Sequence, residues 1–149
     1  MSRCQDTGEK PDVEKAKMFK ESYNKINSKK HPEILNLYSM RLGVNTIMKL
    51  ISILEVQPFK VINLADNSIS EYGMHAIKNL LNSCKIENLN IASNMISEVG
   101  LSLVLEDLIK NSSLKILDIG IMEGSIRKNS IGIDGARCIA AILLQNKNL

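Results

Sequence analysis

The side chains of this chain that could do covalent or metal chemistry are few and far apart. Its two histidines, His31 and His75, have no neighbour at a spacing that suits a metal ion or a catalytic triad. No glycine-rich phosphate loop and no nucleophile elbow occurs. Thr7-Gly8-Glu9-Lys10-Pro11 matches the linker between tandem zinc fingers. A finger needs paired Cys and paired His, however, and the scattered Cys4, His31 and His75 do not supply them. Cys4, Cys84 and Cys138, an odd number at unrelated spacings, argue against a disulfide framework. An enzyme is therefore not expected, nor a metal or a cofactor.

The chemistry that does recur is amide hydrogen bonding. Asn36, Asn63, Asn90 and Asp118 follow one another at intervals of 27, 27 and 28 residues. Each has apolar neighbours, as in Leu35-Asn36-Leu37 and Leu89-Asn90-Ile91, and such alternation predicts a short strand with one buried face. The outward residues then form columns. Ile34, Val61, Asn88 and Ile116 make one, the asparagines and Asp118 the next, and Tyr38, Ala65, Ala92 and Gly120 the third. The middle column is a neutral strip of hydrogen-bonding groups, unlike the charged face a nucleic acid needs. Small residues in the third let a partner approach, with Tyr38 as its aromatic anchor. Asn36, Tyr38, Asn63, Asn90 and Asp118 are thus the expected contacts for a protein partner. A second candidate is an insertion in the fourth repeat that offers Met122, Ile126, Arg127 and Lys128, since loops on a rigid scaffold often carry function. An insertion of that kind is also tolerated without function.

The elements that must hold these columns show themselves by repetition. Phe59 to Ile69 and Ile86 to Ile96 state one pattern twice, each trailed by a glycine, Gly73 and Gly100. A period of this length marks a stack of units, each burying its apolar face against its neighbours. Helices are predicted over 44–55, 71–82, 98–110 and 134–145. Leu50, Ile77, Val104 and Ile139 align as one inward row, and Leu54, Leu81, Leu108 and Leu143 as another. Ser70, Ser97 and Asp134 are placed to start helices by side-chain capping. Before the repeats, a polar tail over 1–11 precedes an amphipathic helix over 12–31 with Val13, Ala16, Phe19, Tyr23 and Ile26 on one face. The end of a stack needs a cap, and this helix is read as that cap.

The pattern L-x-x-L-x-L-x-x-N-x-I with a glycine four residues on resembles the ribonuclease-inhibitor-like class of leucine-rich repeats. Phe59, Ile62, Leu64, Asn67, Ile69 and Gly73 fit it, as do Ile86, Leu89, Ile91, Asn94, Ile96 and Gly100. Leu114, Leu117 and Ile119 fit it too, followed after the insertion by Asn129, Ile131 and Gly135. The resemblance implies an α/β fold, a short leucine-rich-repeat solenoid or horseshoe over 32–149 with a concave parallel sheet, convex helices and the N-terminal capping helix. It also implies that Asn67, Asn94 and Asn129 turn inward to satisfy buried backbone groups. The first repeat departs from the pattern, with Met40 at the asparagine position and Thr46 at the glycine position. Members of the class inhibit nucleases, activate GTPases, serve innate immunity, cap actin filaments or build axonemes, so the class alone leaves the function open.

Bulk properties bound the rest. A net charge of +3 is too small to imply nucleic acid, and aromatics at 3% require an aliphatic core. The polar start carries no secretory signal and no run is long enough to span a membrane, so a cytoplasmic protein is expected, with cytoskeletal or ciliary structures as a narrower alternative. The leading expectation is a non-enzymatic interaction module or scaffold. The alternatives are a structural subunit of such an assembly, or a regulator of a GTPase or other enzyme. Asn146-Lys147-Asn148-Leu149 repeats the spacing of Asn111-Ser112-Ser113-Leu114, so a fifth repeat begins at Leu149, and an assembly contact at that end is expected for the subunit reading.

Overall fold

A computed structural model of the chain describes residues 33–54 and 59–149, apart from the side chains of Ser52 and Ile53. The expected tail over 1–11, the helix over 12–31 and residue 55 of the first repeat helix lie outside these residues. Within them the fold is α/β, with one parallel four-stranded sheet in chain order. Strands β1 (Ile34–Asn36), β2 (Val61–Asn63), β3 (Asn88–Asn90) and β4 (Ile116–Asp118) lie side by side. Asn36 pairs with Asn63, Asn63 with Asn90 and Asn90 with Asp118, so the sequence period becomes the strand register.

Each strand is followed by helix. These are α1 (Val44–Leu54), α2 (Ser70–Ser83), the pair α3 (Glu98–Leu103) and α4 (Leu105–Lys110), and α5 (Gly132–Gln145). Parallel neighbours require such a crossover. Leu35, Ile62 and Leu89 point from the middle of their strands into one aliphatic core shared with Ile47, Ile77, Leu80, Val104 and Leu108. The single helix expected over 98–110 is broken at Val104. There the Ser102 hydroxyl donates to the Val99 carbonyl at 2.7 Å and the Val104 N–H turns to the Leu101 carbonyl at 3.2 Å, tightening the turn.

Helix starts differ from expectation at two of three positions. Ser97 caps α3 by accepting from the Gly100 N–H at 3.5 Å. Ser70 has a left-handed backbone, φ 51°, and its N–H donates to the Asn94 carbonyl, so stacking fixes its geometry in place of capping. Asp134 lies within the first turn of α5, which begins at Gly132, and pairs with Arg137 at 2.8 Å.

Asn67, Asn94 and Asn129 are buried and tie successive units together. The Asn67 Nδ2 donates to the Leu64 and Ala65 carbonyls of its own unit and the Leu37 carbonyl of the one before, while its Oδ1 accepts from the Leu42 N–H. Asn94 reaches back in the same way to Leu64 and Ile69, and Asn129 to Ile91, Asn94 and Ile96. Each amide thus satisfies backbone groups that would otherwise be buried unpaired. The reach is backward, which accounts for Met40. The backbone around it is served by Asn67, and a buried methionine fills the space.

A second ladder runs at the helix exits. Asn111 Nδ2 donates to the Leu81 carbonyl and Asn146 Nδ2 to the Leu108 carbonyl, while the Cys84 thiol meets the Leu54 carbonyl at 3.6 Å. Cys84, Asn111 and Asn146 therefore do one structural job.

Candidate partner-binding face

The outward face of the sheet brings the predicted columns together. Asn36, Asn63, Asn90 and Asp118 stand side by side in register, with Ile34 and Ile116 exposed in the column before them. Each member of the middle column first serves its own backbone. Its Oδ1 accepts from the N–H two residues on, Tyr38, Ala65, Ala92 and Gly120 respectively, at 2.9–3.1 Å. These are Asx turns, and they explain why a short amide or carboxylate recurs where each strand ends. Asn90 Nδ2 also donates to Asp118 Oδ2 at 3.0 Å. The Nδ2 groups of Asn36 and Asn63 make no hydrogen bond among the described residues and remain for a ligand.

The third column differs from its expectation. Tyr38 is 46% exposed, but Ala65 and Ala92 are buried. The Asx turn bends the chain before this position, so strand alternation no longer holds there. The next residue of each unit, Ser39, Asp66 and Ser93, is left-handed at φ 52–56°. The column offers Tyr38 and Gly120 as surface, and no path along small side chains.

The insertion is a clasp. Asp66, in the second unit, accepts from the Ser125 hydroxyl at 2.6 Å, from Arg127 Nη1 at 3.3 Å and from the Ser39 hydroxyl at 2.8 Å. Arg127 N–H donates to the Ser125 hydroxyl, Arg127 carbonyl accepts from Met95 N–H, and Met122 N–H donates to Ser93. Partial burial pushes the Asp66 carboxyl up, but the Ser125 and Ser39 hydroxyls and the Arg127 charge outweigh it and hold its pKa below the ordinary carboxylate value. Arg127 is thus engaged within the chain and half-buried Met122 is tied to Ser93, whereas Ile126 is 89% exposed and Lys128 is exposed. Of the four loop residues, Ile126 and Lys128 are the ones presented to solvent.

One charged column escaped the sequence reading although the same period marks it. Glu33, Lys60, Glu87 and Lys115 alternate in sign along the start of the strands. Lys60 pairs with Glu33 at 2.9 Å and Lys115 with Glu87 at 2.7 Å. The Glu33 hydrogen bond and charge raise the pKa of Lys60, and the Lys115 hydrogen bond and charge lower that of Glu87. Such exposed pairs add little stability, but their signs favour one order of units. Among the described residues no cluster of histidine, cysteine or carboxylate could hold a metal, and no helix is long and apolar enough to cross a membrane. His75 is exposed on α2, and Cys84 and Cys138 are half-buried thiols.

No family model matches the chain, and no curated protein matches it. Solved structures do match. A chain described as Leiomodin-1 Actin-Binding Site 2 (ABS2) superposes with a TM-score of 0.70 at 22% identity, over 94% of this chain and 78% of that one. The likeness is one of fold.

Proposed function

We propose that this chain is a non-enzymatic protein-interaction module of the leucine-rich-repeat class, holding a protein partner on the outward face of its sheet. The class reading is supported by the inward asparagines and by the glycines that follow them in register. The interaction reading is carried by one observation. Four strands hold Asn36, Asn63, Asn90 and Asp118 in a single row, beside exposed Ile34, Ile116 and Tyr38, on a scaffold fixed by buried amides. Such a row combines apolar contact with unspent hydrogen-bond donors, and both are what a protein surface can answer. Ile126 and Lys128 extend the same reading to the loop.

A cytoskeletal partner is favoured, because one solved structure that shares this fold is described as an actin-binding site. Actin is accordingly the first probe. The chain is expected to co-sediment with filaments or to bind monomeric actin. The double variant Ile34→Arg with Ile116→Arg, at exposed positions of the same face, should lose that binding while its thermal melt is little changed. Binding that survives the double variant removes the outward face, and no binding of either form of actin removes the cytoskeletal assignment.

A further inference from the structure

One carboxylate joins three separate units of the stack. Asp66 takes the Ser39 hydroxyl of the first unit at 2.8 Å, and Ser39 directly follows Tyr38, the aromatic of the outward face. It takes the Ser125 hydroxyl and Arg127 Nη1 of the insertion at 2.6 and 3.3 Å. Its own chain leads back through the Asx turn of Asn63 to the outward row. Polar contacts alone hold the insertion here. Met122 to Ser125 close a β-turn, with the Ser125 N–H on the Met122 carbonyl at 3.1 Å and Gly124 at φ 74°. Beyond the turn Ile126 is 89% exposed, so ordering the loop buries little of its apolar surface. The Arg127 carbonyl takes the Met95 N–H. Met95 is left-handed at φ 60°, a costly conformation for so large a side chain, and that side chain is 53% exposed. Lys128 follows, with no ion partner among the described residues.

We propose that Asp66 is the positioning residue of the interaction surface, fixing the insertion so that Ile126, Met95 and Lys128 act as one site with Tyr38 and the outward row. The inference rests on the partner-binding reading above and gives Asp66 a part in it without contact to the partner. The Asp66 side chain is only 14% exposed, and both its oxygens are engaged within the chain. A loop free to move must be ordered as the partner arrives, which weakens binding. A loop held in advance avoids that loss. The assembled site suits a protein segment that sets apolar side chains on Ile126 and Met95 and a carboxylate on Lys128. Glu123, the other exposed charge of the insertion, stands at the corner of the β-turn, before the residues that Asp66 holds.

The chain has no tryptophan, so Ile126→Trp places a single fluorescent reporter at an exposed position. In the otherwise unaltered chain its anisotropy should decay with the tumbling of the whole molecule. Asp66→Ala should add a fast nanosecond component, and Asp66→Asn, which keeps an acceptor for Ser125 and Ser39, should add less of it. Ser125→Ala frees the loop while Ser39 stays bonded to Asp66, so it separates release of the loop from any wider loss of structure. Binding is then read against actin with Ile126 in place. Ile126→Ala should weaken it about fivefold or more, as truncation of a central contact does, and Asp66→Ala by a similar factor. The two changes together should do no more than either alone, because a released loop no longer presents Ile126. A merely structural Asp66 would leave the two effects to multiply. The proposal is overturned if the reporter stays rigid in both Asp66→Ala and Ser125→Ala, or if Ile126→Ala and Asp66→Ala weaken binding independently. An unaltered chain that binds no actin removes the cytoskeletal assignment and this proposal with it, whereas a rigid reporter removes the positioning role alone.

Discussion

Asn94 shows how much one side chain does in this fold. Its amide serves the Ile69 N–H and the Leu64 and Ala92 carbonyls, all in the interior. Removing it strands the Ile69 N–H, while the Leu64 carbonyl keeps the Asn67 amide and the Ala92 carbonyl keeps the Asp66 N–H, so Asn94→Ala should cost about 1–3 kcal/mol in urea unfolding. That is a large share of the stability of a domain this size. Asp66 makes a different prediction, because its charge is what the clasp needs. Its folded pKa lies below its unfolded value, so its contribution is complete above about pH 4 and is lost as pH falls through the folded value. Asp66→Asn should therefore flatten the acid limb of the stability profile, measured by urea midpoints between about pH 5 and 2, within the range where a lowered carboxylate titrates.

At the scale of elements, the strands and their order were legible in the sequence. Leu35, Ile62, Leu89 and Leu117 recur at a period that leaves room for one helix, and parallel neighbours at that spacing follow directly. Helix rotation was less legible. Leu50 was aligned with Ile77 but is half-buried, while Ile47 and Ile51 fill the core, since the first unit lacks the glycine that sets how the later helices sit. Leu143 aligned with buried Leu108 yet stands exposed, because burial of a repeat residue requires a neighbour on its far side. The glycine itself has a steric reason. A Cβ on Gly100 would lie 3.1 Å from the Glu71 backbone of the preceding helix and 3.2 Å from Ile96 and Met74. Gly100→Ala should thus push α3 off α2 and lower stability by about 1–3 kcal/mol, as overpacking does, in contrast to the gain this change gives at open helical sites. Calorimetric melting decides between the two signs.

For the whole molecule, the outward row could be read from the sequence because strand pairing preserves the period. The clasp could not. Ser39, Asp66 and Arg127 belong to no common motif, and nothing local reports that residues 61 apart will meet. That meeting changes how the protein comes apart. In a stack whose units touch only their neighbours, the end unit can fray alone, since each interface opens independently. Here Arg127 and Ser125 of the fourth unit grip Asp66 of the second, passing over the third. The last unit cannot peel away without also releasing a contact two units back, so the clasp acts as a lock on stepwise unravelling. Amide hydrogen exchange should show β2, β3 and β4 opening together in the native chain. In Asp66→Ala, β4 should exchange ahead of β2, and the insertion would stand revealed as the length of chain that joins neighbours in space who are not neighbours in the stack.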